Sequence, residues 1–144
     1  MTLAVETDKL ANAKEQGQAC FDNIREMWEA YLAVDENDDR QSSDAYQAIL
    51  DDPLSVEVRG GWYVPGTLDP ADCPAEYRIL LCTGGPAVQI VGTLSEHGEP
   101  ETAVMQVQDW FTPWTDFRPV VEGWTSSQVQ DALLAYARCF YFGE

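Results

Sequence analysis

The sequence is poor in basic residues. It contains 8 Lys and Arg against 25 Asp and Glu, which gives a formal net charge of −17 at pH 7. The imbalance is present in both halves, with 14 acids and 5 bases in residues 1–60 and 11 acids and 3 bases in residues 61–144. A surface this negative repels nucleic acid and anionic membranes. We therefore expect no direct binding to either, and we expect basic proteins or cations as partners.

The chain also lacks long apolar runs and closely paired cysteines. No run approaches the roughly 20 apolar residues of a membrane helix, and the start, MTLAVETDKL, has neither the basic segment nor the apolar segment of a signal peptide. Cys20, Cys73, Cys82 and Cys139 form no CxxC pair. Reduced thiols in a cytoplasmic protein are the simplest interpretation, although three disulfide pairings remain arithmetically open.

Residues for common kinds of catalysis are scarce as well. His97 is the only histidine, and it lies in SEHGEP, a predicted hairpin tip without a buried group to orient the ring. Cys73 and Cys82 fall on different predicted elements, which disfavours zinc. The stretch CTGGP lacks the lysine and the following helix of a phosphate loop. We expect no enzyme and no cofactor, with paired carboxylates in a cleft as the enzymatic alternative.

The composition nevertheless supports a folded core. Hydrophobic residues make up 45% of the 144 residues and aromatic residues 11%, which is enough for one domain over residues 1–144. We divide it into a helical acidic part (1–52), a sheet (53–111), and a turn with a C-terminal helix (112–144).

Helical periodicity marks both ends of the chain. The first helix is predicted from Thr7 or Asp8 to about Ala33, and a second over SSDAYQAILDD is capped by Ser42 or Ser43 and stopped by Pro53. A last helix begins after Ser126 or Ser127. The predicted core-facing residues are Leu10, Gly17, Phe21, Ile24, Trp28 and Tyr31 in the first helix and Val129, Leu133, Tyr136 and Phe140 in the last, with Gly143 as its C-cap.

Four segments between these helices are rich in Val, Ile and aromatic residues. They cover residues 54–64, 76–82, 87–94 and 102–110, and short glycine-containing links join the last three. This pattern is typical of antiparallel hairpins. We therefore predict an α+β fold of order ααββββα, a four-stranded antiparallel meander with N-terminal helices and a C-terminal helix packed on it.

The segment AVDENDDRQS, residues 33–42, resembles the start of a calcium loop. Asp35, Asn37 and Asp39 match the first three ligand positions of an EF-hand. However, Arg40 stands where the loop needs glycine, and Tyr46 stands where it needs a bidentate glutamate. We therefore predict no metal site here.

Acidic residues line one side of the first predicted helix. At 100° per residue, five carboxylates fall within about 60° of arc and extend over about 32 Å, with only Arg25 close enough to compensate. We call these residues, together with the acids that follow the helix, the acidic ridge: Asp8, Glu15, Asp22, Glu26, Glu29, Asp35, Glu36, Asp38 and Asp39. The ridge is either a solvated helix face or a phosphate-like surface that occupies a basic groove of another protein.

A second candidate surface is the segment DWFTPWTDF, residues 109–117. It concentrates Trp110, Phe111, Trp114 and Phe117 around one proline. These rings either fold over the core or form an aromatic contact patch for a protein partner.

Several stretches resemble a group of small acidic proteins of unassigned function from phages and mobile elements of Gram-negative bacteria. They are DDPLSVEVRGGWYVPG, EYRILLCTGGPAVQIVGTL, QDWFTPWTDF and LLAYARCFYFGE, and the resemblance covers roughly residues 45–144. It supplies no catalytic residues. It implies an inhibitor of host defence, of the anti-CRISPR or anti-restriction type, acting in the bacterial cytoplasm on a basic protein that handles nucleic acid. The alternative is a binding module for a non-nucleic-acid protein partner that uses the 110–117 aromatics.

Overall fold

A computed structural model describes residues 10–34, 39, 43–60, 62, 64–66, 74–110 and 112–142. Three helices and five strands lie within these ranges. In chain order they are α1 (Ala11–Leu32), α2 (Asp44–Asp51), β1 (Ser55–Gly60), β2 (Pro74–Cys82), β3 (Ala87–Thr93), β4 (Val104–Gln108), β5 (Thr115–Phe117) and α3 (Ser126–Ala137).

The first helix has the predicted core face but a later start. It begins at Ala11, with Leu10 as an N-cap that forms no side-chain capping bond. The predicted caps Thr7 and Asp8 lie outside the described residues. Four small or apolar residues at three-four spacing are buried, as the periodicity predicts: Ala13, Gly17, Phe21 and Ile24.

Side-chain caps fix where the other two helices begin. Ser43 accepts a hydrogen bond from the Tyr46 backbone N–H at 3.2 Å and so caps α2, as predicted. The cap of α3 is Thr125, one residue before the predicted serines. Thr125 and Gln128 bond reciprocally to each other's backbone N–H and form a capping box. The predicted C-cap Gly143 lies outside the described residues.

The sheet is an antiparallel meander of five strands, in the order β1-β2-β3-β4-β5. The predicted α+β class and the antiparallel hairpins are therefore confirmed, whereas the count of four strands is wrong. The additional strand is β5, whose Thr115 pairs with Val107 of β4, in a stretch predicted as turns. It has three residues, too few to show a two-residue period, and its pairing depends on β4.

One face of the sheet carries the core. Ile79, Ile90 and Met105 lie opposite one another on β2, β3 and β4, and all three are buried. The buried cluster that contains them also includes residues of all three helices, among them Phe21 and Leu133. The helices therefore cover the same sheet face, and alternation along the strands places polar side chains on the opposite, open face.

A single carboxylate connects the helices. Asp52, next to the end of α2, accepts hydrogen bonds from the Asn23 side chain of α1 at 3.2 Å and from the Tyr136 hydroxyl of α3 at 2.7 Å. These bonds fix the orientation of α1, which carries the acidic ridge.

Candidate protein-interaction surfaces

The part of the acidic ridge that belongs to α1 lies on the solvent side of that helix. Glu15, Glu26 and Glu29 are exposed, and Asp22 is half-exposed. Glu15 and Glu26 form no ion pair or side-chain hydrogen bond with any other part of the chain that the structure describes. Because the buried face of α1 is tied to the sheet and to Asp52, these carboxylates are presented by a fixed helix.

Arg25 is the basic residue within the ridge. Its guanidinium lies 3.8 Å from Asp22 Oδ1 and 3.8 Å from Glu29 Oε1, and 5.9 Å from the centre of the Trp124 ring. These distances permit weak, partly solvated ion pairs and a cation–π contact. With Lys14 also on this helix, the four α1 carboxylates and two basic residues leave a net charge of −2 on α1.

Gln18 connects the ridge to the segment before α3. Its Nε2 donates to Asp22 Oδ1 at 3.1 Å and to the Val120 carbonyl at 2.8 Å, and its Oε1 accepts from the Val120 N–H at 2.8 Å. A glutamine that satisfies both backbone groups of one residue holds that segment against the helix. Sequence reasoning missed this contact because the two residues are 102 positions apart.

The rest of the ridge is described only in part. Asp39 is exposed, whereas Asp8, Asp35, Glu36 and Asp38 lie outside the described residues. The helix α2 adds exposed Asp44 and Asp51, of which Asp51 accepts a hydrogen bond from Gln47 at 2.9 Å. These two acids were not predicted as site residues, although both are visible in the sequence of the second predicted helix.

The 110–117 aromatics have different environments. Trp110 is 67% exposed. One side of its indole packs against Gly85 in the turn between β2 and β3, so closely that a Cβ on Gly85 would clash with the ring. Trp114 is half-buried, and Phe117 packs against the core cluster. Phe111 lies outside the described residues. Among the described rings of this segment, the one with most of its surface available to a partner is Trp110.

A third surface, not predicted as a site, is the edge strand β1. Val56 and Val58 are 36% and 44% exposed, Leu54 before the strand is 61% exposed, and Trp62 after it is fully exposed. In the sequence, this strip is visible as the alternation of apolar and polar residues in LSVEVR, which is typical of a strand. Because the strand lies at the edge of the sheet, its apolar side is only partly covered.

The open face of the sheet carries two ion pairs between β1 and β2. Glu57 pairs with Arg78 at 2.6 Å, and Arg59 pairs with Glu76 at 2.7 Å. They line an open depression of about 410 Å³ together with Gln89 and neighbouring residues. The pairs are cross-strand neighbours of opposite charge, which stabilises the register of β1 on β2.

An amide chain crosses the floor of this depression. Gln89 is 4% exposed and donates to Gln106 Oε1 at 2.8 Å, and Gln106 donates to Asp116 Oδ1 at 2.9 Å. Because a carboxylate accepts hydrogen bonds, Asp116 fixes the orientation of both amides. Gln89 Oε1 is buried and has no partner in the described part of the protein. The series of hydrogen bonds therefore ends at Gln89, whose oxygen remains an unused acceptor.

The described thiols are half-buried, and the histidine lies on an exposed hairpin tip. Burial raises the pKa of Cys20 to about 11 and that of Cys139 to about 11, which disfavours the reactive thiolate at neutral pH. Cys82 is also a free thiol, and Cys73 lies outside the described residues. His97 is exposed at its hairpin tip, 3.6 Å from Glu96.

Within the residues that the structure describes, no three His, Cys, Asp or Glu side chains are grouped so that they could hold a metal ion. Across the described helices, none is both long enough and apolar enough to cross a membrane. Comparison with protein-family models, curated proteins and solved structures finds no match.

Proposed function

We propose that this protein is a non-enzymatic acidic inhibitor that binds a basic, nucleic-acid-handling protein of bacterial defence, of the anti-CRISPR or anti-restriction type. The observation that carries the proposal is the exposed carboxylate row on α1, in which Glu15 and Glu26 have no partner among the residues that the structure describes. In this mechanism the carboxylates pair with the Lys and Arg side chains that otherwise hold phosphates.

The charge density of the ridge sets the strength of this mimicry. Glu15 to Glu29 spans about 21 Å at 1.5 Å per residue, so the four described carboxylates are spaced about 7 Å apart. One DNA strand carries a charge about every 3.4 Å of helix axis. The helix alone therefore supplies about half the linear charge density of a strand, and the net charge of −17 supplies the longer-range attraction to a basic groove.

The test is a comparison of two variants with the same net charge. The ridge variant carries Asp22→Asn with Glu→Gln at positions 15, 26 and 29. The control variant carries Glu→Gln at positions 96, 99, 101 and 122, which are four exposed acids away from α1. Both variants retain a net charge of −13, so a difference between them reports on position rather than on total charge.

Each variant is used beside the wild type to capture proteins from a bacterial lysate, and the captured partners are then tested for competition with nucleic acid at increasing salt. We expect the ridge variant to lose the basic partner and the control to keep it. At about 0.2–1 kcal/mol per exposed pair, the loss is about 1–4 kcal/mol, or roughly 5- to 800-fold in affinity. Equal binding by both variants would contradict the ridge mechanism.

A second candidate function is favoured by the exposure of Trp110. In it the protein binds a non-nucleic-acid protein partner through the 110–117 aromatic segment, with Trp110 as an anchor. The measurement is acrylamide quenching of tryptophan fluorescence in a Trp62→Phe background, since Trp62 is also exposed. Protection of Trp110 on partner binding, with binding lost in Trp110→Ala but kept in the ridge variant, would favour this function over the first.

A further inference from the structure

In the part of the chain that the structure describes, no strand lies along the outer edge of β1. Among the described residues β1 pairs with β2 alone. An unpaired edge presents backbone N–H and C=O groups to any further strand. Proteins commonly protect such edges with proline or with charged residues, lysine above all. Ser55–Gly60 has no lysine and no proline, and its two charged residues, Glu57 and Arg59, are opposite in sign.

We propose that two copies of this chain associate through β1, antiparallel and centred on Val58. A two-fold axis perpendicular to the sheet keeps each face on its own side, so residues of the same parity lie opposite each other. With Val58 opposite its own copy, Glu57 lies opposite Arg59 of the second copy, and Arg59 opposite its Glu57. Centring on Glu57 or on Arg59 instead would place two like charges opposite each other, which is unfavourable.

The intrachain ion pairs leave the atoms that this arrangement needs. Arg78 bonds Glu57 through Oε1, which leaves Glu57 Oε2 free to accept. Arg59 bonds Glu76 through its Nε and Nη2, which leaves Nη1 free to donate. Four charged side chains therefore lie side by side across the interface, and their charges alternate in sign. They are Arg78 and Glu57 of one copy, followed by Arg59 and Glu76 of the second copy.

The opposite side of the strand contributes apolar surface. Val56 and Val58, partly exposed in one copy, become central in the joined sheet. Leu54, just before the strand, is 61% exposed and adds to this apolar surface. The association thus covers the apolar strip. On the other side of the strand, the positive and negative charges at the interface cancel, so that the contact adds no repulsion to that of the net negative charge of the chain.

The decisive test uses two single charge reversals, Glu57→Arg and Arg59→Glu. In either variant alone, the cross-chain pairs become like-charged. In an equimolar mixture, one chain carries two arginines and the other two glutamates at positions 57 and 59, so opposite charges face each other again. Sedimentation equilibrium of the full chain is measured at 0.15 M salt, where the Debye length is about 8 Å and long-range repulsion is reduced.

We expect the wild type to shift from 16.1 kDa toward twice that mass with concentration. Each single variant should raise the dimer dissociation constant at least tenfold, and the mixture should restore association. Val58→Lys should also abolish the dimer, whereas Val120→Lys, the same change at a 73% exposed position, should not. Circular dichroism checks that each variant is folded. A monomeric wild type at all concentrations, or a mixture that does not associate, would overturn the proposal.

Discussion

Gly17 determines how closely α1 approaches the sheet, and replacing it with alanine tests that contact. Gly17 is buried on the core face of the helix. A Cβ at this position would lie 2.8 Å from Val107 Cγ1 and 3.0 Å from Phe117 Cδ2, both shorter than an ordinary van der Waals contact. Val107 is itself fully buried on β4, so its methyl group has little room to move.

Two effects of opposite sign determine the result of Gly17→Ala. Overpacking a filled core costs about 1–3 kcal/mol. Alanine is favoured over glycine inside a helix by about 1 kcal/mol. The expected net change is a loss of about 0–2 kcal/mol in the free energy of unfolding, measured by urea denaturation.

A matched variant separates the two effects. Ala19 lies two residues further along the same helix and is exposed, so Ala19→Gly changes helix propensity without changing the core and should cost about 1 kcal/mol. Adding the magnitude of that cost to the loss caused by Gly17→Ala gives the packing penalty alone. If Gly17→Ala instead stabilised the protein by as much as Ala19→Gly destabilises it, α1 would not be seated closely on β4 and β5.

Three further outcomes are expected. Tyr136→Phe removes the hydroxyl that donates to Asp52 at 2.7 Å and should lower the free energy of unfolding by about 1–2 kcal/mol, measured in urea. Burial raises the pKa of Cys20 and of Cys139 from 9.0 to about 11; because unfolded thiols ionise first, stability should fall as pH rises from 9 through 11. A Cys20→Ala, Cys139→Ala variant should show a shallower fall in melting temperature over that range, and an equal slope would contradict the burial of these thiols. Arg25→Gln removes the positive charge beside Asp22 and Glu29 and should strengthen capture of the proposed basic partner, whereas weaker capture would place Arg25 itself in the interface.

The helices and hairpins could be predicted from sequence because their signals are local. A three-four apolar period marks the face of α1, Ser43 caps α2, and glycine-containing links separate the central strands. The short strand β5 could not be predicted, since Thr115 to Phe117 becomes a strand only by pairing with β4. The predicted caps Thr7 and Asp8 lie outside the described residues, and α1 is assigned from Ala11; the type of capping residue alone does not decide where a helix begins.

The candidate surfaces, too, could be predicted where they depend on local sequence and not where they depend on contacts between distant parts of the chain. The acidic side of α1 follows from helical geometry and was predicted from positions alone, and the structure places Glu15, Glu26 and Glu29 on the solvent side. Residue type did not reveal that Gln18 holds Val120, because that contact joins distant parts of the chain. Nor did it separate exposed Trp110 from core-packed Phe117, since both are aromatic and only their positions relative to the sheet distinguish them.

The contact between Gln18 and Val120 also has a consequence during synthesis. The two residues are 102 positions apart, and at about 5–20 residues per second the ribosome needs roughly 5–20 s to make the intervening chain. During that time the elements that bury the apolar side of α1 are added one after another, α2 first and β3 and β4 later. The carboxylates on the other side of α1 favour hydration and mutual repulsion of the nascent segments, so we expect the charge that we assign to partner binding also to limit aggregation of the unfinished chain.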